Sequence, residues 1–162
     1  MKNLLLILSI LSIFTLLSCG PNYIFDQTME IAEEGWAYED TLNFEIEIED
    51  TLEIYNLYLD IEHNTDYKKQ NIYILIYTQF PSGERIKERV AIDFSDKTGQ
   101  WYGDCNTEKC NLRVNIQEGA FFNIAGKHII TIEQFMRMDP LLGVRNIALR
   151  IEDTGQKRNL EN

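Results

Sequence analysis

The side chains that could attack a bond, move a proton or hold an ion are few in this 162-residue chain. It has two histidines, His63 and His128, and neither has a second histidine one helical turn away. His63 shares an alternating face with Leu57, Leu59 and Ile61, which reads as a satisfied histidine at a strand edge. His128 follows Gly126-Lys127 at the start of another strand. No nucleophile elbow, HExxH pair, phosphate-cradling glycine loop or dinucleotide fingerprint is present. With 26 acidic side chains, some carboxylate pair will always stand at a glycosidase-like separation, so such a pair carries no information. The expectation is a protein that is not an enzyme and holds no cofactor.

Two clusters suggest binding chemistry instead. In "DFSDKTGQWYGD", Asp93, Ser95, Asp96 and Asp104 offer hard oxygens around a glycine-containing loop, the outline of a weak calcium site. The alternative is an Asp-rich turn, and the spacing is not that of an EF-hand. Trp36, Tyr38, Trp101 and Tyr102 suggest an aromatic platform for sugar, with core packing or cross-strand pairing as the plainer reading. Cys105 and Cys110, in "GDCNTEKCN", read outside the cytoplasm as a disulfide closing a short turn. Free thiols and a zinc site are the alternatives, and zinc lacks the further ligands it needs.

A last candidate lies near the C-terminus, in "EQFMRMDPLLGVRNIALRIE". Eight residues, Met136 to Gly143, link two apolar runs, where two to five make an ordinary hairpin. Pro140 forces a turn, and Gly143 frees a backbone dihedral. Met136, Arg137, Leu141, Leu142 and Gly143 are the candidate partner-binding residues, together with the adaptable Met138. The competing reading has the leucines capping the open end of the fold.

The elements that must position these groups alternate with period two. Leu42, Phe44, Ile46 and Ile48 interleave with Asn43, Glu45, Glu47 and Glu49, giving a strand with one wet face. Tyr55, Leu57, Leu59 and Ile61 continue the pattern, and "NIYILIYTQF" is apolar on both faces, as a central covered strand would be. Ile86, Val90, Ile92 and Phe94 read as inward against Arg85, Lys87 and Arg89, and Leu112, Val114 and Ile116 alternate likewise. Residues 117–122 suggest a short helical turn. Pro81-Ser82-Gly83 and Asp96-Lys97-Thr98-Gly99 mark turns. Strands recurring at this spacing without an amphipathic helix indicate an all-β, single antiparallel β-sandwich of jelly-roll or Ig-like type.

The ends lie outside that domain. A basic start and an apolar run from Leu4 to Leu17 have signal-peptide proportions, too short to span a bilayer. Leu16-Leu17-Ser18-Cys19-Gly20 resembles a bacterial lipobox, which implies removal of residues 1–18 and diacylglycerol and N-acyl lipid on Cys19. An ordinary signal peptide or an uncleaved anchor is the alternative. Several acyl chains anchor stably, since each buried methylene contributes about 0.8 kcal/mol. Residues 19–27 then read as a lipidated tether, 28–155 as the sandwich and 156–162 as a polar tail. The net charge of −11 argues against nucleic acid and anionic headgroups as partners.

Taken in order, the residues resemble the GldH-type gliding-motility lipoproteins of the Bacteroidetes. The likeness runs through Cys19, then Trp36, Asp40, Phe44 and Ile48, then Tyr67 and Asn71 leading into "IYILIYTQFPSGE". It continues in "DKTGQWYGD", similar to the family's Gly-x-Trp-x-Gly turn, and ends with Gln134, Met136, Arg137, Leu141 and Gly143 before the last strand. The "CNTEKC" insertion and Ala148, where glycine is common, are departures that suggest a variant turn and an edge substitution. The resemblance implies a non-enzymatic interaction component of the gliding and type IX secretion apparatus at the outer membrane, partnered by envelope lipoproteins or machinery proteins. Gly20-Pro21-Asn22-Tyr23 lacks the acidic cluster of surface-sent lipoproteins, which favours the periplasmic face. A carbohydrate-binding envelope lipoprotein, with or without stabilisation by calcium, is the second expectation.

Overall fold

The computed structural model describes residues 20–159; Cys19, the segment before it and the last three residues lie outside them. Nine strands follow one another: β1 (Tyr23–Glu30), β2 (Leu42–Ile48), β3 (Glu53–Asn64), β4 (Asn71–Gln79), β5 (Arg85–Asp93), β6 (Asp104–Cys105), β7 (Lys109–Ala120), β8 (Gly126–Gln134) and β9 (Val144–Lys157). They form two antiparallel sheets, ordered β1-β9-β3-β7-β6 and β2-β8-β4-β5. Among the described residues no helix is long and apolar enough to cross a membrane.

Period-two patterning decides which face each strand buries. In β2 the apolar members are all buried and their polar neighbours all exposed. Leu57, Leu59 and Ile61 of β3 and Ile147, Leu149 and Ile151 of β9 form one wall of the core. Phe44 and Ile46 of β2, Ile72 and Ile74 of β4, and Ile130 and Ile132 of β8 form the other. Each fully buried side chain of this kind contributes about 1.5–3 kcal/mol. A one-residue slip would turn every one of them to water, so the register is strongly specified.

Several expectations are corrected. The stretch assigned to a tether already contains strand: β1 starts at Tyr23 and pairs along β9, because Phe25 and Met29 pack against the core. β9 runs on to Lys157 into the expected tail, where Lys157 pairs with Glu53. Residues 117–120 are strand, with Ala120 opposite Tyr55, rather than a helical turn. Ile86 is 47% exposed on β5, which among the described residues has a neighbour on one side alone. β4 does lie inside its sheet, yet its outer face is partly wet, with Leu75 buried and Tyr73 exposed. His63 sits on β3, the middle strand of the larger sheet, and not at an edge.

Candidate functional site

The link between β8 and β9 is bolted to the segment ahead of β2. Trp36 and Leu141 form an isolated antiparallel bridge. Gln134, at the end of β8, is buried and supplies three bonds. Its Nε2 donates to the carbonyls of Met138 at 2.9 Å and Trp36 at 3.4 Å, and its Oε1 accepts from the Met136 N–H at 2.8 Å. Tyr38 adds two more: its hydroxyl donates to the Met136 carbonyl at 2.6 Å, and its N–H donates to Asp139 Oδ1 at 3.0 Å. The Asp139–Pro140 peptide is cis. Gly143 closes the link with φ +89°, where an added Cβ would stand 3.1 Å from the Tyr67 ring. A loop whose polar groups are this fully used is held in one shape before any partner arrives.

The five residues proposed for partner contact therefore separate. Leu141 is buried against the core and its side chain is not available, so for this residue the capping reading holds. Leu142 is 56% exposed and lies near Gly35. Met136 and Arg137 open into a groove of about 690 Å³ on the outer face of the smaller sheet. Its other walls are Tyr38, Lys69, Tyr73, Arg89, Phe135 and Met138. Tyr73, Phe135 and Tyr38 are all more than a third exposed there. The groove thus joins aromatic faces and two thioethers to three cations, and no carboxylate lines it.

The remaining candidates are placed differently. Cys105 and Cys110 are bonded, S–S 2.03 Å, across the β6–β7 hairpin. Asp96 Oδ1 accepts from the Thr98 hydroxyl at 2.7 Å and from the N–H groups of Thr98 and Gln100 at 2.8 and 3.0 Å. Those bonds, the Thr98 side chain's first, hold its carboxyl below the usual carboxylate range. Its lone pairs serve its own turn, and among the described residues no three His, Cys, Asp or Glu stand together as a metal would need. The aromatic platform is not assembled: Trp36 is fully buried, its Nε1 donating to the Asp40 carbonyl at 2.7 Å, and Trp101 packs on the core.

Both histidines are core residues. The His63 ring stacks on Phe94 at 4.4 Å and 5°, with Trp101 edge-on at 4.9 Å, and its Nδ1 donates to the Asn64 carbonyl at 2.9 Å. Burial pushes its pKa below the ordinary value. His128 lies against Phe122 and Phe80, and its Nδ1 donates to the Gly126 carbonyl at 3.0 Å.

Lys69, Tyr73, Arg89 and Phe135 were not among the expected site residues. Lys69 precedes β4, Arg89 is on β5 and Phe135 follows β8, so only the fold brings them together. One local signal existed: Tyr73 and Arg89 fall on the outward phase of their strands, and an aromatic there is available for contact.

The GldH lipoprotein family matches residues 23–151 of the chain. The chain is 28% identical to a gliding motility lipoprotein GldH homolog of Christiangramia forsetii, over 86% of itself and 91% of that protein. It is 23% identical to the gliding motility lipoprotein GldH of Flavobacterium johnsoniae, over 88% of itself and 92% of that protein. Among solved structures, TmCBM61 in complex with beta-1,4-galactotriose is similar at 10% identity and a TM-score of 0.35, covering 82% of this chain and 91% of that one. So low a score carries no argument about sugar. The family match spans all of the sandwich core from Phe25 to Ile151, the Trp36–Leu141 closure included, and the chain belongs to the GldH lipoprotein family.

Proposed function

We propose that this chain is a non-enzymatic interaction component of the gliding-motility and type IX secretion apparatus. In this reading it is held by lipid on Cys19 in the periplasmic leaflet of the outer membrane, and it binds other envelope lipoproteins or machinery proteins. Family membership supports the process. The observation that carries the interaction reading is the groove at Phe135–Met138. Its walls are exposed aromatic, thioether and cationic side chains, and its backbone is fixed by Gln134 and Tyr38. Rigid exposed aromatics and arginines are the side chains that anchor protein interfaces. The histidines, by contrast, spend their rings on core packing.

The test is in-cell crosslinking of a tagged chain, followed by affinity purification and mass spectrometry, beside a Cys19→Ala control. Motility or secretion components enriched over that control are the expected result. Recovery of glycan-uptake proteins, or an identical set from the control, overturns the reading.

A further inference from the structure

The groove gathers three cations that no described carboxylate pairs. Lys109, Arg113, Lys127, Arg150 and Lys157 are each in an ion pair with a carboxylate. Among the described residues Lys69, Arg89 and Arg137 have none. Lys68, Lys97, Arg145 and Arg158 have none either but do not line the groove, so it is the gathering in one groove without a carboxylate that marks the first three. Two more unpaired cations continue the row from Arg89 along β5. Arg85 lies over the Tyr77 ring at 4.1 Å, and Lys87 lies over the same ring at 5.2 Å. Arg85, Lys87 and Arg89 stand opposite Gln79, Tyr77 and Leu75, so all three share the outer face.

We propose that this surface binds an extended acidic peptide segment of a partner protein, with acidic residues at alternate positions and an apolar side chain seated in the groove. The proposal rests on the interaction-component reading and specifies the partner's chemistry. The charge argument is direct: Lys69, Arg89 and Arg137 line the groove with cationic hydrogen-bond donors, and no carboxylate lines it. A carboxylate accepts and does not donate, so it complements them. A neutral sugar needs acceptors as well as donors, and among these side chains the two Tyr hydroxyls are the main acceptors beside three cations that only donate.

Spacing selects a peptide. Cations on alternate residues of one strand recur every ~6.8 Å, which is the repeat of side chains on one face of another extended chain. Among the described residues β5 is also the outer strand of its sheet, so its outer side offers backbone groups to a further strand. At the Arg89 end, Phe135, Met136 and Tyr73 offer an apolar seat that adapts to an aromatic or aliphatic side chain.

The test uses the purified, detergent-solubilised full chain and labelled synthetic peptides in fluorescence anisotropy. The probes are an alternating Glu-Phe octapeptide, its Lys-Phe counterpart and an oligogalacturonate of similar length. The Glu-Phe peptide should bind, the Lys-Phe peptide should not, and raising salt from ~50 to ~500 mM should weaken binding severalfold. Arg89→Glu/Arg137→Glu should weaken it about tenfold or more with the melting temperature unchanged. Equal binding of both peptides, or an unchanged affinity in the double variant, overturns the proposal and leaves the row as a guard against edge-to-edge aggregation. Binding of oligogalacturonate in preference to the peptide also overturns it, because the occupant is then an anionic glycan. The peptide comparison needs no variant, so it stands even if the double variant misfolds. If the double variant still captures motility components in cells, the peptide proposal fails while the interaction reading survives. If peptide binding holds but no such components are captured, the reverse is true.

Discussion

Trp36 and Leu141 exchange backbone hydrogen bonds, each N–H donating to the other's carbonyl at 2.9 Å, and both side chains are buried. This two-residue bridge ties the start of the domain to the β8–β9 link, and it makes Leu141 a core residue carried by a loop. Leu141→Ala should cost about 2–5 kcal/mol, as buried leucines do. Leu142→Ala, a single position away but 56% exposed, should stay within about 0.5 kcal/mol. Urea unfolding of the two variants checks the contrast.

Gln134→Leu should loosen the groove more than it unfolds the domain. The substitution leaves the Met136 N–H and the Met138 carbonyl without their bonds, at about 1–3 kcal/mol for a buried polar group. Hydrogen exchange at the Met136 amide should accelerate strongly, while exchange at Leu149 in the core strand should follow global stability alone.

The pH response follows from His63. Its folded pKa lies below the unfolded value of 6.5 because burial disfavours the cation, with the Asn64 carbonyl opposing more weakly. The unfolded chain thus binds the proton first, and stability is full above pH 6.5 and falls as pH drops below it, by at most about 1.4 kcal/mol per pH unit. His63→Phe should flatten the melting temperature between about pH 6.5 and pH 5. Asp60 acts lower down. Burial raises its carboxyl, but Arg113, bonded to both oxygens at 2.6 and 2.7 Å, and then Arg150 outweigh burial and hold it below the usual value. Its contribution is present above the unfolded carboxylate value and is lost as pH falls through the acid range.

Cys105→Ser/Cys110→Ser should destabilise by no more than about 2 kcal/mol, because a crosslink over so short a loop removes little entropy from the unfolded chain. The hairpin also has other bonds: Asn106 Oδ1 accepts from the N–H groups of Glu108 and Lys109, and Thr65 donates to the Thr107 carbonyl. A thermal melt with and without reductant reads the difference.

Residues with local signals were legible in the sequence. The clean alternation of Leu42 to Ile48 became β2 with every face as expected, and the spacing of such runs led to the sandwich. Ile86 was misread because alternation fixes only which residues share a face, and an edge strand need not bury either one. Leu141 stayed open between capping and partner contact for the opposite reason: an apolar side chain in a loop is ambiguous until the Trp36 bridge is seen. The groove was half legible. Met136 and Arg137 are neighbours in a long link, but Lys69 and Arg89 meet them only after β4, β5 and β8 pair.

The early start of β1 bears on how the molecule stands at its membrane. Four residue steps separate Cys19 from Tyr23, a reach of ~14 Å when fully extended. With lipid on Cys19, as proposed, the domain has almost no leash and must sit close over the headgroups. Tyr23 pairs with Glu152, and β9 runs from there back to Val144 beside the β8–β9 link, ~27 Å away along the strand. Tyr23 and the groove therefore lie toward opposite ends of β9, and with the anchor and the docking surface as proposed the domain is a short mast with lipid below and the groove above.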